Sequence, residues 1–234
     1  MLPIRDHNPS GRTPYVTYTL IAINVLIFLA FNLSLGDGHA LNVFYYDWGM
    51  VPLHISRGQD FYTLVTSQFL HGGIMHIGGN MLFLWIFGDN IEAKFGKVKY
   101  IGIYLMWGVG AGLIHIYGDA GSGIPAVGAS GAISGVLGAY LIIFPKTRIQ
   151  TFLMLGFFWR MMHIQARWFL PFWLVFQNLL PFFVGGFGVA GGGVAYLAHI
   201  GGFAIGIATG YLYKKMHRSD FTYGTRYGYG SDYR

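Results

Sequence analysis

Long apolar segments constrain the fold of this chain more than any other feature of its sequence. Of its 234 residues, 54% are hydrophobic and only 10% are charged, whereas a soluble domain usually carries about 25% charged residues. So few charges cannot cover a water-facing surface, and the chain is expected to lie largely in lipid. Its 36 glycines have no collagen-like period and suit membrane helices that pack closely. The sequence therefore predicts an all-α, polytopic membrane protein.

Six apolar segments are long enough, or nearly long enough, to cross a bilayer, which takes about 20 residues per helix. The predicted spans cover about residues 16–35, 72–88, 100–117, 127–144, 169–187 and 194–213. Between the first two spans, residues 36–70 are expected to form an interfacial loop with short helices. Residues 151–166 are expected to form an amphipathic segment outside the membrane. Residues 1–13 and 214–234 are predicted to be cytoplasmic tails, and the second, rich in Gly and Tyr, is expected to be disordered.

The positions of the basic residues indicate an orientation in the membrane. Six spans place both termini on one side, and of the 15 Lys and Arg residues all except Arg57 fall on that side. The positive-inside rule then predicts that both termini are cytoplasmic. The chain has no cysteine, which excludes disulfides, a thiolate nucleophile and cysteine-based metal sites.

Polar groups inside the predicted spans are candidates for function, because burying them in lipid is costly. Spans two, four and six run from outside to inside, and each begins with such groups. Span two has His71, His76 and Asn80, span four has Ser130, and span six has His199. His76 and Asn80 are four residues apart and therefore point in the same direction on a helix. All five groups are expected at one depth, near the outer face.

Glycine spacing predicts which of these spans are in contact. Small residues four apart allow two helix backbones to approach closely, and they recur in spans four and six at Gly128, Gly131, Gly135, Gly138, Gly202, Gly206 and Gly210. Ser130 and His199 could then form the hydroxyl–imidazole pair of a nucleophile and its base. Ser130 also begins its helix, where free backbone N–H groups can face an oxyanion, and His76 and Asn80 could add donors. Ser134, one turn deeper, is the rival nucleophile.

Three motifs together resemble those of a known family. They are His71-Gly-Gly-Ile-Met-His76-Ile-Gly-Gly-Asn80, Gly128-Ala-Ser130-Gly131 and Ala198-His199-Ile-Gly-Gly. In this order and on these spans they resemble the motifs of the rhomboid intramembrane serine proteases, over about residues 14–213. The resemblance implies a six-transmembrane-helix rhomboid bundle, with residues 14–213 as the protease domain.

The resemblance also assigns roles to the candidate residues. It implies that Ser130 is the nucleophile and His199 its base, with no acidic third member. It implies that His76, Asn80 and the Ser130 backbone N–H bind the oxyanion. Supporting positions are then His71, Gly128, Gly131 and Ser134.

The family further implies a substrate class and surroundings. Its members cleave single-pass membrane proteins near the outer face, so the expected partners are such substrates and the lipid bilayer, without nucleic acid. No metal and no cofactor is implied. Trp168–Phe187 would act as a gate and Gly185–Gly193 as a mobile cap. The compact form suits a prokaryotic plasma membrane, while the physiological substrate and the oligomeric state stay open.

Two departures from the family pattern leave questions. Many rhomboids carry a Trp-Arg pair in the first loop, where this chain has Tyr62-Thr63. Many also have an aromatic residue four positions after the nucleophile, where this chain has Ser134. The anchoring of the loop and the orientation of His199 are therefore open.

Two other functions compete with proteolysis. A rhomboid-like pseudoprotease would bind transmembrane helices without cutting them, although such proteins typically lack one member of the dyad. A transporter could use histidines to line a proton or metal path. Other intramembrane proteases fit less well, because the sequence has no His-Glu-x-x-His motif and no pair of aspartates inside the spans.

Overall fold

The computed structural model describes residues 1–36, 38–155, 157–176 and 195–218. In chain order the elements are β1 (Leu2–Asp6), α1 (Tyr15–Ile27), α2 (Leu33–Leu35), α3 (His39–Trp48), α4 (Pro52–Ser56), α5 (Thr63–Thr66), α6 (Ile74–Phe95), α7 (Lys97–Gly118), α8 (Ser130–Ile143), β2 (Arg148–Leu155), β3 (Phe158–Gln165), α9 (Ala166–Leu174) and α10 (Tyr196–Met216). A π-helical turn, Phe28–Asn32, joins α1 to α2, and a 3₁₀ turn, Ser67–Phe69, follows α5.

Helices that overlap the predicted spans dominate the structure. Within the described residues, two helical stretches are long and apolar enough to cross a bilayer, Tyr15–Asn32 and Lys97–Gly118. A third is added if Thr63–Phe69 and Ile74–Phe95, which meet at 94°, form one broken span. Helix α8 is apolar but shorter. Most of predicted span five and the start of span six lie outside the described residues, as do Gly185–Gly193 and the tail from 219. The count of six spans therefore stays a prediction.

Helices α8 and α10 pack against each other at their backbones, as the glycine spacing predicted. A Cβ atom on Gly202 would overlap the carbonyl oxygen of Gly131, and one on Gly206 would overlap that of Gly135. Any larger residue at these positions would push the helices apart. This contact sets the distance between the first turns of the two helices.

A three-stranded antiparallel sheet, in the order β1-β2-β3, corrects the expectation of an all-α fold. Most of residues 151–166, predicted as an amphipathic segment on the cytoplasmic side, lie in strands β2 and β3, and the predicted N-terminal tail supplies β1. One face of the sheet is buried, with Ile149 and Thr151 inaccessible to solvent. Because β2 follows the carboxyl end of α8, the sheet lies at the opposite end of that helix from Ser130.

The start of α1 is held by a carboxylate from α6. Glu92 accepts hydrogen bonds from the backbone N–H groups of Val16 (3.0 Å) and Thr17 (2.8 Å) and from the Thr17 hydroxyl (2.9 Å). The first N–H groups of a helix have no partner within it. The buried Glu92 therefore caps α1 and ties it to α6.

Candidate active site

Ser130 and His199 meet at the ends of the two closely packed helices. Ser130 is the first residue of α8, and His199 lies in the first turn of α10. The Ser130 Oγ and His199 Nε2 atoms are 2.6 Å apart, a short hydrogen bond. A serine hydroxyl in contact with an imidazole has the geometry of a nucleophile and its general base.

Gly128 allows the His76 side chain to lie close to Ser130. Its φ of +133° lies in a region that residues with a side chain rarely adopt. A Cβ atom on Gly128 would lie 2.8 Å from His76 Nε2 and 3.5 Å from Ser130 Oγ. The absence of a side chain therefore allows the His76 ring to lie against the turn that precedes Ser130. The Gly128 N–H also donates to the carbonyl of Ser67 (2.9 Å), which fixes this turn to the first loop.

Asn80 is buried one turn further along α6 on the side that carries His76. Its Nδ2 atom is buried and has no hydrogen-bond partner within the described part of the chain. A buried amide donor without a partner costs free energy unless a ligand or water satisfies it. Asn80 is therefore a free donor on the helix face that points toward the Ser130 turn.

His71 supports His76 and contacts it through its ring. The two rings meet edge to face with centroids 5.1 Å apart, and His71 is fully buried. The His71 carbonyl accepts hydrogen bonds from the Tyr45 hydroxyl (2.8 Å) and from Asn32 Nδ2 (3.1 Å). These contacts anchor the segment that leads into α6, and with it the position of His76.

The other two supporting positions pack between helices. Gly131 faces Ala111 of α7, where a Cβ atom would come within 2.8 Å of the alanine methyl group. Ser134 is fully buried, and its hydroxyl has no hydrogen-bond partner among residues 1–36, 38–155, 157–176 and 195–218. Since the Ser130 Oγ atom is hydrogen-bonded to His199 Nε2, the geometry favours Ser130 over Ser134 as the nucleophile.

Tyr62 and Thr63, which stand where many rhomboids have Trp-Arg, both anchor the first loop. The Tyr62 hydroxyl donates to the Asp47 carbonyl (2.7 Å), and its ring contacts Trp48 at 5.9 Å. The Thr63 hydroxyl donates to the Asp60 carbonyl (2.7 Å). The loop is therefore fixed by a different set of contacts.

A small cavity of about 40 Å³ opens beside Ser130 and is large enough for water. Ser67, Gln68 and Gly128 line it together with apolar residues of α7 and α8. The Gln68 Oε1 atom is buried and has no partner in the described ranges. Sequence analysis did not single out Gln68, because it lies in a short turn whose path depends on the rest of the first loop.

Comparison with known proteins identifies the family of this chain. The profile of the Rhomboid domain matches residues 58–216, which is more than half of the chain and includes every candidate residue. This chain belongs to the rhomboid family. The family includes intramembrane serine proteases, and membership makes the chain an integral membrane protein.

Individual rhomboid relatives come from several kinds of organism. Rhomboid protein 1, mitochondrial, of Saccharomyces cerevisiae is 25% identical over 212 residues, 86% of this chain and 54% of that protein. Rhomboid protease GluP of Bacillus subtilis is 32% identical over 130 residues, 56% of this chain and 25% of that protein. RHOMBOID-like protein 4 of Arabidopsis thaliana is 32% identical over 165 residues, 70% of this chain and 37% of that protein. The chain spans about half the length of these relatives or less. Since they include mitochondrial and bacterial proteins, a prokaryotic plasma membrane stays a prediction.

Proposed function

We propose that this rhomboid is an intramembrane serine endopeptidase with Ser130 as nucleophile and His199 as general base. The observation that carries the proposal is the 2.6 Å contact between Ser130 Oγ and His199 Nε2 inside a helical bundle. Membership of a family that includes serine proteases supports it. A pseudoprotease would bind the same substrates, so only catalysis separates these two functions.

The proposed reaction follows from the roles of the two side chains. His199 Nε2 takes the proton of Ser130 Oγ as the oxygen attacks the carbonyl carbon of the scissile peptide bond. His199 then gives that proton to the leaving amine, and an acyl-enzyme on Ser130 remains. A water molecule, which the cavity beside Ser130 has room to hold, loses a proton to His199 and hydrolyses the ester. The proton finally returns to Ser130 as the acyl group leaves.

Three donors are proposed to stabilise the oxyanion. The Ser130 backbone N–H has no partner within its helix, because Ser130 is the first helical residue. His76 lies against Gly128, and Asn80 offers a buried amide with no partner in the described structure. Donors fixed before the reaction stabilise a developing negative charge without a cost of reorganisation.

The proposed substrates are single-pass membrane proteins, cut near the outer face of the membrane. In the proposed topology the termini are cytoplasmic, and the amino end of α8, which carries Ser130, is at the outer side. A helical substrate hides its carbonyl groups in its own hydrogen bonds. Segments with residues that destabilise a helix are therefore expected to be cut in preference.

The deciding experiment compares cleavage of a single-pass test substrate by the purified, membrane-reconstituted chain and its variants. Ser130→Ala and His199→Ala are expected to lower turnover by a factor on the order of 10⁴. Ser134→Ala is the matched control and is expected to retain activity. If Ser130→Ala cleaves normally while Ser134→Ala does not, the assigned nucleophile is wrong. If the unmodified chain binds the substrate but never cleaves it, the pseudoprotease function is correct.

A further inference from the structure

The β2–β3 hairpin ends in apolar side chains that the protein itself does not cover. The apolar tip, defined as Met154, Phe157, Trp159 and Met161, is exposed on every member. Trp159 and Met154, which pair across the two strands, are 69% and 66% exposed, and Phe157 in the turn is fully exposed. Contiguous exposed apolar side chains of this size mark a surface that contacts a partner or a membrane.

The base of the hairpin is hydrogen-bonded between the end of α8 and the start of α9. Ala166 N donates to the Thr147 carbonyl (2.8 Å), and Arg167 N donates to the Pro145 carbonyl (3.0 Å). These bonds close the base of the hairpin between the end of α8 and the start of α9. With about 3.3 Å per residue, six residues of β2 carry the tip roughly 20 Å from this base. The tip thus lies far along the hairpin from the helix ends, to which the hairpin base is fixed.

Charge selects among the surfaces that the tip could contact. Residues 143–167 contain four basic residues and no acidic residue, and all four are exposed: Lys146, Arg148, Arg160 and Arg167. Arg160 lies between Trp159 and Met161 along β3 and pairs with Leu153, so its side chain is on the opposite face of the hairpin from those two. Basic residues beside exposed aromatic groups suit a membrane surface with anionic headgroups. In the proposed topology this end of the bundle faces the cytoplasmic leaflet.

Two occupants within the same protein fit this surface less well. A second copy docked tip to tip would bring Arg160 close to its own counterpart, and like charges oppose such a contact. Residues 219–234 carry two Asp and two Arg, so this segment is neutral and does not complement a basic surface.

We propose that the apolar tip of the β2–β3 hairpin inserts into the headgroup region of the anionic leaflet around the bundle. Arg160 and the basic residues at the base of the hairpin, Lys146, Arg148 and Arg167, then bind lipid phosphates. The sheet is then a second, peripheral membrane contact in addition to the spanning helices. This inference rests on the proposed membrane topology and is independent of Ser130 and of catalysis.

The test uses the absence of native cysteine. The full chain carrying Phe157→Cys is labelled with an environment-sensitive fluorophore and reconstituted in vesicles of phosphatidylcholine with or without phosphatidylglycerol. Asp119→Cys, in an exposed loop beyond α7, is the matched control. Because the Phe157 side chain is fully exposed, its replacement leaves the packed core unchanged.

The proposal expects emission at shorter wavelength from the label at 157, and strong quenching by lipids that carry a nitroxide near the headgroup. The label at 119 is expected to show neither effect. Adding Arg160→Gln is expected to lower the ratio of inserted to free tip about fivefold in anionic vesicles, as the loss of one basic residue near such a surface implies. High salt is also expected to lower the ratio of inserted to free tip.

Three results would overturn the proposal. The first is lipid quenching at 157 no greater than at 119. The second is shielding of the label that grows with protein density, which assigns the tip to a second copy. The third is shielding that disappears on removal of residues 219–234, which assigns it to that segment. None of these readouts depends on protease activity, so failure here is distinct from failure of the proposed function.

Discussion

Ser134 lies one helical turn below Ser130 and packs where α8 touches α10. A Cβ atom on Gly202 would lie 3.2 Å from the Ser134 Cβ, so little space remains between the two backbones. The aromatic residue that many rhomboids have at this position would not fit here without moving α10.

Paired substitutions at Ser134 are expected to have opposite effects on stability. Ser134→Ala removes a buried hydroxyl that has no partner in the described residues, and is expected to stabilise the fold by about 1 kcal/mol. Ser134→Phe overfills the site and is expected to destabilise it by about 3 kcal/mol. Thermal unfolding in detergent, followed by circular dichroism, measures both. A Phe variant as stable as the unmodified chain would show that the helices can separate at this point.

At the level of single residues, the prediction of the site from the sequence depended on the free-energy cost of burying polar side chains in lipid. That cost pointed to Ser130, His199, His76 and Asn80, because such groups must find partners within the bundle. It did not point to Gln68, which is polar in a loop where polar residues are ordinary. Nor did it show that the His76 ring lies against Gly128, because this contact depends on the path of the turn before α8.

Among the elements, α1 depends on a cap that comes from another helix. Glu92→Gln keeps the shape of the side chain but removes the charge that accepts three hydrogen bonds at the start of α1. The expected loss is about 2 kcal/mol of stability, since hydrogen bonds to charged groups are the stronger ones. Asp47→Asn, at an exposed position in α3, is the control and should leave the thermal midpoint unchanged. An unchanged midpoint for Glu92→Gln would mean that α1 is held by packing alone.

The sheet shows why an element can escape prediction. A half-buried strand normally reveals itself by alternating apolar and polar residues. In the β2–β3 hairpin the outer face is also apolar near the tip, at Phe152, Met154 and Trp159, so the alternation is hidden. The partner strand β1 comes from the other end of the chain, where Arg5 pairs with Gln150. A local sequence pattern cannot predict the pairing of β1 with β2, because the two strands are far apart in the chain.

Across the whole molecule, the N-terminal strand is joined to the bundle by the partly buried carboxyl of Asp6. It accepts hydrogen bonds from the Tyr140 hydroxyl and from Asn90 Nδ2 (2.9 Å). Burial, with a smaller contribution from nearby Asp89, raises the pKa of Asp6 from 3.8 to about 7. The folded protein therefore holds this proton more tightly than the unfolded chain does.

Stability should accordingly depend on pH in a defined direction. A raised carboxyl pKa stabilises the folded state below about pH 4, and this contribution is lost as the pH rises to about 7. The thermal midpoint is expected to fall between about pH 4 and about pH 7, the interval between the two pKa values of Asp6. Asp6→Asn should reduce this slope, because the amide does not titrate. An identical slope in the variant would assign the effect to another group.

The glycine contact between α8 and α10 has a consequence for any attempt to re-engineer this protein. Because main chain meets main chain at Gly131–Gly202 and Gly135–Gly206, any side chain introduced there would separate the two helices and displace Ser130 from His199. The Ser130 hydroxyl and the His199 imidazole are held at a fixed distance by these two helices. A library aimed at new specificity should therefore leave these two helices untouched. The positions to vary are on the exposed face of α6 and in the first loop, where side chains can change without moving the two helices.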